Sequence, residues 1–494
     1  IRTVGGFMNI LNESMIQRPN RPIKVVQFGE GNFLRAFVDW MLQELNNAGL
    51  FNGDIAVVQP LEFGRVKELE KQDGLYTLIQ EGVQNNEFIS KSQIIDSLKM
   101  FVNPYESYED YLKLAEIDTL ELLISNTTES GIVLDENDSI DATPPKTFPG
   151  KVLAFLYHRY QIFNGDPSKG LYIVPCELID NNGDELYRCV KALAKIHGLS
   201  EDFMTWLEEA NTFTNTLVDR IVPGYPATRI EELTDQLGYI DHNLVLGEVF
   251  HLWVIEDRNG ISEVLNGAEA GLNILFVKDI KPYKIRKVRI LNGLHTLMVP
   301  VAYLSGIDTV GETMADKTLL KYLHQTVEHE MVPATEKYLT SEELHQFAKE
   351  VYDRFNNPRV RHELMSIALN SSAKFKSRLL PTALDYVERF GQFPKNMAFS
   401  LASAFVFYRG IRGNDPIALQ DEPELLNYYH ELWSKYESNE MSLEEIVSAF
   451  LGMKNHWGLD LNAIPQLTKE IVSMTSSILS HGVKEALTDM VVGA

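Results

Sequence analysis

Little in this sequence serves a metal, a membrane or a nucleic acid. Cysteine occurs only twice, as Cys176 and Cys189, which is too few for a disulfide framework and badly spaced for a thiolate zinc site. No His-rich cluster is present either. No apolar run reaches the ~20 residues that a membrane-spanning helix needs, and no signal peptide of the charged-then-apolar type opens the chain. A reduced, cytoplasmic setting is therefore expected, with Met8 as the expected native start. Positive charge is scarce. The 45 Lys and Arg face 69 Asp and Glu, a formal net charge of −24. That balance argues against nucleic acid or an anionic membrane as partner, since both require basic surface. Internal repeats and low-complexity segments are missing as well.

What remains is the composition of a globular protein, 45% hydrophobic and 23% charged. At 494 residues the chain exceeds what a single core usually serves, so two large domains are expected.

Against the acidic background, Lys278, Lys281, Lys284, Arg286, Lys287 and Arg289 crowd into one short stretch. The pattern then turns apolar and helical, with Asn292 and His295 set among Val288, Leu291, Leu294 and Met298. At about 100° per residue, Lys287, Asn292 and His295 fall at roughly 0°, 140° and 80° around an α-helix. One helix would then present an amine, an amide donor and an imidazole to one pocket. Such a set suits carbonyl or alcohol chemistry by proton transfer and oxygen stabilisation. The plainer alternative is a solvated basic face with a structural Asn and His.

The first half alternates strands with polar turns. Residues 23–37 read as an apolar strand, a turn and a helix start, with Gly29 and Gly31 in the G-x-G spacing of a dinucleotide-binding turn. Leu34 or Ala36 stands where a third glycine is usual. A helix is expected from about Leu34 to Asn47, then a strand over 55–60. The acidic residue that normally receives an adenine ribose is replaced by Gln59, with Glu62 following. That favours NAD, while Arg65 and Lys67 leave a 2′-phosphate open. The stretch 120–134 runs from a strand into a polar turn, where Asn126, Thr127, Thr128 and Glu129 are candidates near a nicotinamide. Residues 170–184 repeat this form. In 212–226, Asp219 and Arg220 sit amid apolar residues, as a site or as an internal ion pair.

From 279 onward nearly everything reads as amphipathic helix, including 312–331, 341–355, 383–390, 396–409, 424–436, 443–453 and 466–489. The expectation is an α/β, Rossmann-like dinucleotide domain over 1–278 followed by an all-helical domain over 279–494. The Lys/Asn/His helix would lie at the cleft between them. A second basic cluster, Lys374, Lys376 and Arg378, falls in the helical half.

The stretches QFGEGNFLRAF, SNTTESGI, PCELIDNNGD, LVDRIVPGYP and DIKPYKIRKVRILNGLHT resemble, in order and spacing, the polyol-specific long-chain dehydrogenases, the mannitol dehydrogenase family. The resemblance runs from about residue 22 to the C-terminus. It implies metal-independent, NAD-linked interconversion of D-tagaturonate and D-altronate in hexuronate (galacturonate) breakdown. A fructuronate/mannonate or other polyol activity is the alternative within the family, and a nucleotide sensor that kept the fold is the alternative outside it. The family pattern K-x4-N-x2-H falls on Lys287, Asn292 and His295, with the lysine as general acid/base. Its nucleotide loop falls on Phe28, Gly29, Glu30, Gly31, Asn32, Phe33 and Leu34. Its substrate-contacting aspartate falls on Asp219, its C-terminal lysine on Lys374, and the glutamate after its strand-end threonine on Glu129. Three positions depart from the mannitol-type pattern: Leu178 replaces an asparagine, Lys284 a glutamate and Ser366 an arginine. Lys284 adds positive charge suited to a uronate carboxylate, for which Lys374, Lys376 and Arg378 are further candidates.

Overall fold

The apolar runs spaced between polar turns become parallel strands. In the computed structural model, which describes residues 2–3 and 6–492, six of them share one sheet. They are β1 (Ile23–Phe28), β2 (Asp54–Val58), β3 (Leu98–Val102), β4 (Leu122–Ser125), β5 (Tyr172–Pro175) and β6 (Thr212–Phe213). Their spatial order is β6-β5-β4-β1-β2-β3, and every neighbouring pair is parallel. This is the doubly wound Rossmann order, which reverses between β1 and β4, and ligands bind beyond the carboxyl ends of the strands at that reversal.

The sheet is covered on both faces, so its strands read as continuous apolar runs rather than alternating ones. Val25, Val57, Leu122 and Ile124 enter one core with Phe37 and Met41. Their sequence neighbours Val26, Ala56, Val58 and Leu123 enter the other with Phe155, Leu156 and Val190. Beside a two-stranded pairing of Arg2–Thr3 with Gly6–Phe7, two three-stranded sheets, outside the strands read from the sequence, belong to this part of the chain. One joins Tyr76–Gln84 and Glu87–Ile95 to Val245–Gly247, and the other joins Thr216–Asp219, Leu252–Glu256 and Ile274–Val277.

The chain divides into two compact units, residues 1–81 with 89–280 and residues 82–88 with 281–494. The second is mostly helical. Residues 82–88 carry the turn between the two long hairpin strands, where the Asn85 and Asn86 N–H groups donate to the Asp353 carboxylate at 2.8 and 3.2 Å.

Several expected helices are subdivided. The one expected from Leu34 to Asn47 is α1 (Asn32–Arg35) and α2 (Val38–Asn47), broken where Phe37 leaves helical geometry. The span 312–331 becomes Val310–Ala315, Lys317–Thr326 and a wider turn at Val327–Met331. Asp316 causes the first break, its carboxylate accepting from the Thr318 and Leu319 N–H groups as an N-cap. The span 466–489 is Leu467–His481 and Val483–Val492, separated by Gly482 at φ 83°. The expected 341–355 helix is present as Ser341–Phe355, started by a Thr340/Glu343 capping box.

Among the described residues the helical unit has three π segments, Lys287–Asn292, Val327–Met331 and Phe375–Leu379, and the first packs against both of the others. Such turns are rare and concentrate at functional sites.

Candidate active site

The glycine turn of the first unit is shaped by close backbone approach. Gly29 has φ 124°, and a Cβ there would meet Asn126 O at 3.1 Å and Leu34 Cδ1 at 3.2 Å. Its N–H donates to Val58 O, while the Asn126 N–H donates to Phe28 O, both at 3.1 Å. The turn is thereby held against β2 and the loop after β4, at the reversal of strand order. Gly31 begins α1 with no side-chain cap, and a Cβ on it would meet nothing within 4 Å. This exposed backbone at a helix start fits a dinucleotide pyrophosphate. Leu34 is buried and fills the place of the third glycine.

Other candidates in this region divide between backbone and side-chain roles. Phe28 is fully buried against Tyr111 and Phe148, and Phe33 stacks on Phe37 at 4.9 Å, so both side chains serve packing. Glu30 accepts the Arg65 N–H at 2.9 Å, and burial raises its carboxyl above the ordinary value. Asn32 Oδ1 accepts from buried Arg35 at 2.7 Å. Gln59 donates its amide to Leu61 O and Glu62 O at 2.9 and 3.1 Å, which leaves its Oε1 for a ribose hydroxyl. Lys67 pairs with Glu106 at 2.6 Å on the surface.

Beyond β4, Thr128 adopts φ 73°, a left-handed conformation that is costly for a β-branched residue and typical of functional loops. Thr127 donates through its N–H and hydroxyl to Glu177 Oε1 at 3.0 and 2.9 Å, and Ser125 Oγ donates to Glu177 Oε2 at 3.1 Å. Glu177 thus ties the ends of β4 and β5 together beneath Asn126. Sequence reasoning passed over it, although a carboxylate directly after an apolar strand was the available signal. Glu129 is exposed, and Leu178 is 61% exposed. Asp219 is buried at the end of its strand. Arg220 turns away to the Ala36 and Glu248 carbonyls and Gln80, over the Trp40 ring, and burial lowers it to about 9.

In the helical unit the α-helical wheel is corrected. Residues 287–292 are not α-helical: the Gly293 N–H reaches back to Val288 O as well as Ile290 O. A π turn closes i→i+5, so residues five apart come much nearer to one face than the 140° separation of an α-helix. Lys287 and Asn292 have that separation and share a face by the π geometry. An α-helix resumes at Gly293–Leu304 and carries His295.

The His295 ring is clamped, stacked on Phe355 at 4.4 Å and edge-on to His362 at 4.9 Å. Its Nε2 is buried without a hydrogen-bond partner. No hydrogen bond to the Asn292 amide occurs among the described residues, so both groups remain open for a substrate oxygen. Lys287 and Lys284 are half-buried.

Burial first, then the cations and His362 around it, hold His295 well below the ordinary value of 6.5. The unfolded chain takes up a proton here that the folded chain refuses, so stability from this group is lost as pH falls below 6.5. A histidine-labelled sample should show no His295 transition between about pH 6 and 8, the range where an ordinary imidazole titrates. A midpoint near 6.5 in the NMR titration would contradict the clamped neutral ring.

The basic run does not form one positive patch. Arg286 is buried between the Tyr283 and Phe347 rings, and Arg289 pairs with Asp385 at 2.6 Å, because both point into the helical core. Lys376 is exposed. Lys374 donates to Ile367 O at 2.7 Å, and Arg378 approaches Thr296. Arg354 and His362, which sequence reasoning did not single out, join Lys374 and Arg378 in the field acting on His295. Only the fold shows this, since Arg354 and His362 lie on segments apart from the Lys374–Arg378 stretch. Among the described residues, no group of three or more His, Cys, Asp or Glu side chains is placed to hold a metal, and no helix is long and apolar enough to cross a membrane.

Two domain families match the chain: the mannitol dehydrogenase Rossmann domain over residues 23–266 and the mannitol dehydrogenase C-terminal domain over 279–479. The chain is 44% identical to an altronate oxidoreductase of Bacillus subtilis (strain 168) over 466 residues, covering 94% of this chain and 95% of that one. It is 42% identical to an altronate oxidoreductase of Yersinia pestis over 481 residues, 97% and 99% of the two chains. Among solved structures it resembles D-sorbitol dehydrogenase in substrate-free form (TM-score 0.76, 22% identity, covering 97% and 100%). It also resembles Pseudomonas fluorescens mannitol 2-dehydrogenase in ternary complex with NAD and D-mannitol (TM-score 0.62, 22% identity, covering 96% and 95%). At that identity these two show the fold.

Proposed function

The chain belongs to the mannitol dehydrogenase family, and from that premise we propose that it is an NAD-dependent, metal-independent oxidoreductase interconverting D-tagaturonate and D-altronate in cytoplasmic hexuronate catabolism. The family and the similarity to altronate oxidoreductases support an enzyme acting on CH–OH groups of a sugar acid or polyol. The observation that carries the mechanism is the π turn that puts Lys287 and Asn292 on one face, one helical turn before an unpartnered His295 Nε2.

Bound nicotinamide supplies the hydride in reduction and accepts it in oxidation. The rest belongs to the chain. The backbone of Phe28–Leu34 receives the pyrophosphate, Gln59 Oε1 a ribose hydroxyl, and Asn126 and Thr127 the nicotinamide end. Asn292 donates a hydrogen bond to the substrate oxygen as it gains negative charge. His295, kept neutral, holds the same oxygen in line. Lys287 gives the oxygen its proton in reduction and removes it in oxidation. Asp219, Glu129, Lys284 and Lys374 contact the remainder of the sugar acid.

The reading is tested by NADH oxidation with tagaturonate, with fructuronate and with an uncharged 2-ketohexose, each with and without a chelator. We expect kcat/KM for tagaturonate to exceed that for the uncharged sugar by about 10²-fold or more, the range a single well-used ionic contact supplies. Equal values would mean that the carboxylate is not read. Preference for fructuronate would move the assignment to its epimer, loss of activity with chelator would remove metal independence, and no NADH oxidation at all would favour a sensor.

A further inference from the structure

Many cations in this chain are paired with carboxylates, as Arg289 is with Asp385, Arg229 with Glu81 and Arg412 with Asp308, and buried Arg159 and Arg220 donate to backbone carbonyls instead. Arg378 is different. It is half-buried on the third π segment, and its single hydrogen bond is a long one, 3.5 Å from Nη1 to Thr296 Oγ1. No carboxylate among the described residues lies within ion-pairing distance of it. Thr296 directly follows His295, whose Nε2 is also without a partner.

A guanidinium stays charged and offers five donors in a planar fork. Sheltering it from water without a counter-ion is unfavourable, and a planar carboxylate repays that by bidentate pairing. A neutral polyol cannot. We infer that Arg378 binds the carboxylate of the substrate and thereby sets the preference for sugar acids over uncharged sugars, an assignment that rests on the sugar-acid reading above.

The other cations are less suited. Lys374 has its ammonium on the Ile367 carbonyl, Lys376 is exposed, and Arg354 is buried with contacts of its own. Burial lowers Arg378 from the usual arginine value, in keeping with a cation that lacks its counter-charge.

The test uses the full chain with NADH and compares kcat/KM for tagaturonate with that for an uncharged 2-ketohexose. Arg378→Gln should shrink the ratio at least ~30-fold, mainly through KM for the sugar acid, with its kcat within about threefold of wild type. Arg378→Lys should restore part of the ratio, because charge without the fork suffices for some attraction. Lys376→Gln removes the same charge from an exposed position and should keep the wild-type ratio. An unchanged ratio in Arg378→Gln, or an equal loss for both sugars with unchanged thermal unfolding, overturns the assignment while leaving the sugar-acid reading standing. A wild-type ratio near one removes the sugar-acid reading first, and this inference with it.

Discussion

Lys287→Ala should lower kcat in both directions by about 10³-fold, within the range that positioned acid–base groups supply, while NADH binding stays within about threefold. The residue is half-buried on the first π segment, in the helical unit, and the nucleotide turn belongs to the other unit. Cofactor binding is assigned to the Phe28–Leu34 loop and serves as the internal control. At 1.36 kcal/mol per tenfold, such a loss corresponds to about 4 kcal/mol of transition-state stabilisation. Lys287→Arg should fare little better, because a guanidinium does not release its proton in the working range. Steady-state kinetics and fluorescence titration of NADH decide the matter. Retention of more than a tenth of the wild-type kcat would take the acid–base role away from Lys287.

Asn292→Ala should cost about 10²–10³-fold in kcat, roughly 2.7–4 kcal/mol, as loss of a single oxyanion donor does elsewhere. The amide has no protein partner among the described residues, so its removal orphans nothing inside the fold, and thermal unfolding should move little. Because the hydrogen bond strengthens as charge develops on the oxygen, kcat and kcat/KM should fall together. Asn292→Asp should be at least as damaging, since a carboxylate there would face the developing alkoxide. A rise in KM with kcat unchanged would recast Asn292 as a ground-state binding group and leave oxyanion stabilisation to His295.

Much of the architecture was legible in residue order. The apolar strand, Gly29, Gly31 and the following helix have one comfortable arrangement in a parallel sheet, and the amphipathic spans after 279 have one in a helical unit. The short strands at 252–256 and 274–277 were not legible, because a run of four or five apolar residues does not tell strand from helix by periodicity. The breaks inside the long helical spans came from local caps at Asp316 and a left-handed glycine at 482, signals present in the sequence but outweighed by continuous amphipathic periodicity.

The candidate site shows the same division. Motif spacing together with the family resemblance singled out Lys287, Asn292 and His295 as candidates, since the residue types and their spacing survive in the order of the chain. The relative placing of Lys287 and Asn292 follows from i→i+5 closure at Lys287–Asn292, a segment that packs against both of the other π segments. A helical wheel assumes i→i+4 closure and cannot detect this one. The charges followed the same rule. Residue order shows where cations occur, but only the folded chain turns Arg286 and Arg289 into the core and leaves Arg378 without a counter-charge near His295. Charge pairing is a property of distance in space, and distance along the chain does not determine it.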